Sequence, residues 1–182
     1  MIYDVRMRDV FGKLSVVEVK DMNEMSKKAK ILVVEDEIAI QQVLCFFLRH
    51  HGFEVLGVSS GQEAIGAIPD FSPHLILLDL VMRPISGWDV LQWLRANHLL
   101  PGLPVLVVSA LVHLKEQMQG FEEGAIEYIT KPTQPSIIVE RVCAILDLTG
   151  EQRRMLQHKR RDEQRKLVER VYAAQPHQEY HT

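Results

Sequence analysis

Between Ile31 and Thr130 the chain repeats one alternation: a short run of leucine and β-branched residues, then a stretch of helical period, then another run. The runs begin near Ile31, Phe53, Leu75, Val105 and Ile126, and residues 38–50, 62–68, 88–97 and 114–123 between them read as helices. Gly52, Gly61, Pro73, Gly87, Pro101 and Gly124 punctuate the series. A fifth helix starts near Pro135, a residue suited to a first turn, and carries Ile137, Ile138, Val142, Ile145 and Leu146. Strands alternating with helices are the mark of a parallel sheet covered on both faces. Residues 29–148 therefore read as one compact α/β domain, a doubly wound five-stranded parallel sheet with five flanking helices.

The ends of the runs carry the chemistry. Leu75-Ile-Leu-Leu closes on Asp79, Ile31-Leu-Val-Val precedes Glu35 and Asp36, Val105-Leu-Val-Val precedes Ser109, and Ala125-Ile-Glu-Tyr-Ile-Thr precedes Lys131. Taken singly, each is an ordinary loop or cap residue. Open parallel sheets, however, bind ligands outside the carboxyl ends of their strands, near the point where strand order reverses, and all five residues lie at such ends. Three neighbouring carboxylates repel one another unless a cation intervenes, and an all-oxygen donor set suits Mg²⁺. Beside a metal Asp79 stays ionised and can act as a nucleophile toward phosphorus, with the metal, the Lys131 ammonium and the Ser109 hydroxyl left to receive the phosphoryl oxygens.

These motifs resemble the receiver domain of two-component response regulators. The likeness runs through Ile-Leu-Val-Val-Glu-Asp-Glu at 31–37, Leu-Ile-Leu-Leu-Asp-Leu-Val-Met at 75–82, Gly87, Val-Val-Ser-Ala at 107–110 and Gly-Ala-Ile-Glu-Tyr-Ile-Thr-Lys-Pro at 124–132, in the family's order and spacing. The resemblance implies the flavodoxin-like strand order 2-1-3-4-5, with Asp79 as phosphoacceptor, charged by a histidine kinase or a histidine phosphotransfer protein. It assigns Mg²⁺ to Glu35, Asp36, Asp79 and the main-chain carbonyl of Val81. Ser109 matches the switch hydroxyl, Lys131 the phosphate-pairing lysine, and Tyr128 the aromatic switch that swings inward when the hydroxyl moves toward phosphate. The peptide before Pro132 is expected to be cis. The output surface is expected on the fourth helix, fifth strand and fifth helix, a face that docks partner proteins or forms homodimers in the family.

Two features depart from the family's pattern or qualify it. Arg83-Pro84 stands where Pro-Gly more often follows the phosphoacceptor strand, and a solvated arginine is favoured over a cation aimed at the site. Gly120 lies within the fourth helix and is expected to loosen it, since glycine costs about 1 kcal/mol against alanine there.

The flanking segments are less informative. Residues 1–28 read as a flexible arm, and Met25 makes an ordinary translation start before the first strand, which leaves open whether residues 1–24 belong to the natural product. Residues 149–182 read as a charged helix, over about 151–173, followed by a disordered tail. Its apolar residues Met155, Leu156, Leu167, Val168 and Val171 leave a polar gap, so no sustained heptad seam forms. A formal net charge of −3, two separated cysteines (Cys45 and Cys143), no signal peptide and no membrane-length apolar stretch point to a soluble cytoplasmic protein.

From sequence, the favoured reading is a non-enzymatic response regulator that signals to a downstream protein target through protein contacts, without a separate effector domain and with nucleic acid an unlikely partner. The alternative is a DNA-binding transcription regulator acting through the basic C-terminal helix. A Mg²⁺-dependent phosphatase is disfavoured, because Val81 stands where one large phosphatase family keeps a second acid.

Overall fold

The computed structural model describes residues 29–173. The expected arm at 1–28 and the tail after residue 173 lie outside them. Strands β1 (Lys30–Val34), β2 (Glu54–Val58), β3 (Leu75–Leu78), β4 (Val105–Ser109) and β5 (Glu127–Thr130) alternate with helices α1 (Ile38–His50), α2 (Gly61–Phe71), α3 (Gly87–Ala96), α4 (Leu114–Glu123) and α5 (Pro135–Leu146). A sixth helix, α6 (Gly150–Ala173), comes next. The strands are all parallel, in the order β2-β1-β3-β4-β5.

Because side chains alternate across a strand, each apolar run feeds two cores. Ile31, Val33, Leu75, Leu77, Leu106 and Val108 face one layer, with Leu44 and Leu48 of α1 and Ile138 and Val142 of α5. Leu32, Val34, Ile76, Leu78, Val105 and Val107 face the other, with Ile68 of α2 and Leu91 and Leu94 of α3. Both layers are needed to cover a central strand such as β3, all four residues of which are buried. Helix α4 stands beside α3 and β5.

Helix α2 runs three residues beyond the expected end, through Pro69 to Phe71. Pro69 is exposed in the last turn, where the carbonyl it leaves without a donor can be hydrated. Helix α3 is started by a reciprocal cap: the Asp89 amide donates to Ser86 Oγ (3.3 Å), and the Ser86 amide donates to Asp89 Oδ2 (2.8 Å). Those Ser86 contacts hold the Asp89 carboxyl below its ordinary value. Peptides preceding Pro84, Pro101 and Pro132 are cis. Among the described residues no helix is long and apolar enough to cross a membrane.

The main-chain ladder continues past the strand ends and fixes the first residues beyond them. The Glu35 amide donates to Val58 O (3.1 Å), the Asp79 amide to Val34 O (3.0 Å) and the Lys131 amide to Ser109 O (2.9 Å). At the first residue of α3, Gly87 donates to Leu80 O (3.2 Å), bringing the helix against the backbone just after β3. A Cβ on Gly87 would strike the Asp79 carbonyl oxygen and Leu80 Cα, neither of which can step aside as a flexible side chain would. Gly87→Ala is expected to lower unfolding free energy by about 1–3 kcal/mol or more in urea titrations; wild-type stability would contradict this packing.

Candidate functional site

Reversal of strand order between β1 and β3 opens a crevice at their carboxyl ends, and Glu35, Asp36 and Asp79 converge there. One carboxylate oxygen from each lies within 4.8 Å of the others. Glu35 and Asp79 are buried, at 3% and 6% exposure, whereas Asp36 is exposed. Lys131, carried in from the end of β5, spans the two buried acids: its Nζ lies 2.6 Å from Asp79 Oδ2 and 2.7 Å from Glu35 Oε2. The second Asp79 oxygen, Oδ1, accepts from the Val81 amide at 3.0 Å. Both oxygens of the carboxylate are thus aimed.

Three acids against one ammonium leave the cluster negative. Burial pushes the Glu35 carboxyl above its ordinary value, and the hydrogen bond and charge of Lys131 only partly offset that push. Burial alone would lower the Lys131 ammonium, but hydrogen bonds and charge from Asp79 and Glu35 outweigh it and raise the value, so the lysine is cationic at neutral pH. An all-oxygen set with one exposed member, Asp36, and residual negative charge fits a hard divalent cation that keeps several waters.

Ser109 is fully buried at the end of β4, and its Oγ accepts from the Leu111 amide at 3.4 Å. Tyr128 lies in the neighbouring strand, where its hydroxyl donates to Leu111 O at 3.0 Å. Burial pushes the Tyr128 phenol up to about 12, opposed by a hydrogen bond with Ser109 and aided by the charges of Glu116 and Asp79. The serine and tyrosine thus share one small polar junction at Leu111.

The structure assembles the residues expected at this edge and changes the reading of some neighbours. Arg83 is exposed, as the solvated reading has it. Gly120 is a close-approach position: a Cβ there would come within 3.1 Å of the Tyr128 ring. Sequence reasoning missed Gln41, whose amide donates to Glu35 O (3.0 Å) and Ser59 Oγ (3.3 Å), tying the acidic turn to α1 and β2. Its signal was a polar residue one turn inside an otherwise apolar helix. It also missed that the polar gap in α6 is the face turned to the domain: Gln157, Arg160 and Gln164 bond to Gly124, Glu127 and Gln117, while Met155 and Leu167 are exposed.

A family model described as the response regulator receiver domain matches residues 31–143. DNA-binding response regulator MtrA of Mycolicibacterium paratuberculosis is 35% identical over 119 residues, 65% of this chain and 52% of the relative. Phosphate regulon transcriptional regulatory protein PhoB of Pseudomonas aeruginosa is 36% identical over 120 residues, 66% of this chain and 52% of the relative. The chain spans about half the length of these relatives. Among solved structures, a CheY-like receiver domain protein from Methanospirillum hungatei superposes with a TM-score of 0.60 at 26% identity, over 76% of this chain and 98% of that one. The names of the relatives, one a DNA-binding response regulator and the other a transcriptional regulatory protein, overturn the expectation of a regulator that works by protein contacts alone, and make doubtful the expectation that nucleic acid is an unlikely partner. The physical clue against that expectation was the basic helix lying beyond the matched residues.

Because the folded chain favours protonated Glu35, the stability this residue contributes is fully present below the ordinary carboxylate range. It is lost as pH rises through the raised folded value. In metal-free protein, Glu35→Gln is therefore expected to gain stability relative to wild type between about pH 4 and pH 7.5 in urea denaturation. An equal difference at both pH values would contradict the burial cost.

Proposed function

The chain belongs to the response regulator receiver family, and from that premise we propose that it is a phosphorylation-controlled regulator with a DNA-directed output. Asp79 accepts the phosphoryl group. The observation that carries this reading is the Asp79 carboxylate, held at one oxygen by Lys131 Nζ at 2.6 Å and at the other by the Val81 amide at 3.0 Å, beside the acidic pair after β1.

An Asp79 oxygen attacks phosphorus, the bond between phosphorus and the donor imidazole nitrogen breaks, and the histidine of the kinase or phosphotransfer protein leaves with the electron pair. Glu35, Asp36 and Asp79, with the Val81 carbonyl, are the residues that would hold Mg²⁺. Bound there, the ion would neutralise charge on the phosphoryl oxygens and allow an anionic donor to approach. Lys131 already stands against Asp79 and can follow the charge as it moves from carboxylate to phosphoryl oxygen. Ser109 can rotate its hydroxyl from the Leu111 amide to a phosphoryl oxygen, which alters the junction it shares with Tyr128. A local change in charge thereby becomes a change at α4 and β5.

For the output, the names of the relatives, DNA-binding for MtrA and transcriptional regulatory for PhoB, and the composition of α6 support the same reading. The helix carries eight Lys and Arg against four Asp and Glu, in a chain whose formal net charge is −3. Clustered cations bind a nucleic-acid backbone largely through counterion release, with no need for an apolar seam.

Two outcomes are expected. With a small-molecule phosphodonor and Mg²⁺, intact-mass measurement finds one added phosphoryl group on wild type; Asp79→Asn and metal-chelated samples gain none, and a phosphorylated Asp79→Asn would displace the site. In fluorescence anisotropy, the intact chain binds duplex with affinity falling steeply as salt rises, and a chain ending at residue 149 loses that binding. Equal binding by the shortened chain would remove α6 from the output.

A further inference from the structure

Asp36 is the one acid of the cluster that Lys131 does not hold, and it is exposed where Glu35 and Asp79 are buried. A carboxylate oxygen of Asp36 still lies within 4.8 Å of theirs, so the short turn between β1 and α1 that carries it sets where it points. The helix gives that turn little support at its start: Glu37, the residue before the first turn of α1, makes no side-chain cap.

Gln41 supplies the missing restraint. Its backbone amide donates to Glu37 O at 3.0 Å, as any residue at that helical position would, whereas its side-chain Nε2 reaches back to Glu35 O, also at 3.0 Å. The residues on either side of Asp36 are thus held from one anchor. The same Nε2 donates to Ser59 Oγ at 3.3 Å, so both hydrogens of the amide nitrogen have an acceptor. Ser59 is itself placed: its amide donates to Glu63 Oε2 (2.9 Å) in the first turn of α2, and the neighbouring Val58 O accepts from the Glu35 amide (3.1 Å). The turns after β1 and β2 are therefore joined at two points, one through the main chain and one through Gln41. Gly57 of β2 leaves the room that the amide fills, since a Cβ there would lie 3.0 Å from Gln41 Oε1 and 2.9 Å from Cys45 Sγ.

We propose that Gln41 is a positioning residue for the divalent cation: through Glu35 O it sets the turn that aims Asp36 at Asp79, so that Mg²⁺ meets a preformed acid set. This rests on the reading of the cluster as a Mg²⁺ site that serves phosphorylation of Asp79. Partners that orient a ligand govern metal affinity from outside the ligand set. Gln41 donates to Glu35 O and Ser59, whereas Asp79 is held by Lys131 and the Val81 amide, so loss of Gln41 falls on metal binding and spares the acceptor once metal is bound.

The test uses the full chain, calorimetric titration with Mg²⁺, and phosphorylation by a small-molecule phosphodonor. Gln41→Met keeps the side-chain length and helix propensity without a donor. It is expected to raise the Mg²⁺ Kd about tenfold, while Gln42→Met, at the exposed neighbour on the same helix, stays within about twofold of wild type. Gly57→Ala crowds the amide from β2 with α1 unchanged and is expected to weaken Mg²⁺ binding in the same direction. In Gln41→Met the Mg²⁺ concentration giving half the maximal phosphorylation rate rises about tenfold, and the rate at saturating Mg²⁺ matches wild type within about twofold. Wild-type Mg²⁺ affinity in Gln41→Met or in Gly57→Ala, an equal loss in Gln42→Met, or a rate deficit that saturating Mg²⁺ does not restore would each overturn the positioning role and leave the metal site standing. If wild type itself binds no Mg²⁺, the metal site falls, and the role of Gln41 falls with it.

Discussion

The Lys131 ammonium, set between Glu35 and Asp79, is the contact on which the arrangement at the sheet edge depends. Two buried carboxylates side by side would be costly without a counter-charge, and a lysine in the same place would be costly without them. Their coexistence requires β1, β3 and β5 to end at one level although β4 lies between β3 and β5 and more than ninety residues of chain separate Glu35 from Lys131. The ladder bonds from Glu35, Asp79 and Lys131 to the neighbouring strands set that level through the backbone. One ammonium cannot balance three acids, and the remaining negative charge is compatible with a divalent cation in the crevice.

The same edge reaches the surface through a short path. Ser109 sits between the acidic cluster and Tyr128, and both Ser109 and Tyr128 bond to the Leu111 backbone, one to its amide and the other to its carbonyl. Gly120 lets α4 lie against the tyrosine ring. A side chain there would force the ring or the helix outward, so the absent Cβ sets how closely the junction is coupled to α4. This is a mechanical linkage through packed groups that have few alternative arrangements, the kind of element on which a small change in charge can act.

Much of this was readable in the chain because strand period, turn residues and terminal polar residues agreed with one another. Asp79, Glu35, Asp36, Ser109 and Lys131 could be placed on one edge because parallel strands bring their carboxyl ends together without any knowledge of side-chain positions. For Gly120 the sequence showed only its local cost to the helix, because propensity is local, whereas its close approach to Tyr128 is set by a ring more distant in sequence. Gln41 was invisible for a similar reason: its partners are a backbone carbonyl and a serine from another loop. In α6 the polar gap excluded a heptad seam but did not say which face packs: Met155 and Leu167 are exposed, while Gln157, Arg160 and Gln164 turn to the domain beside the partly covered Leu156, because the surface they meet presents carboxylates, carbonyls and a glutamine.

That packing bears on how firmly α6 is held. An apolar stripe would leave its seat only by exposing hydrocarbon to water, with a penalty growing with area. The stripe of α6, polar apart from Leu156 and Val168, exchanges most of its partners for water at little net cost, and its ion pairs weaken further as salt rises. The two cores of the sheet are closed by residues at near-zero exposure, whereas α6 has no buried residue, so the helix belongs to the part of the molecule most easily displaced.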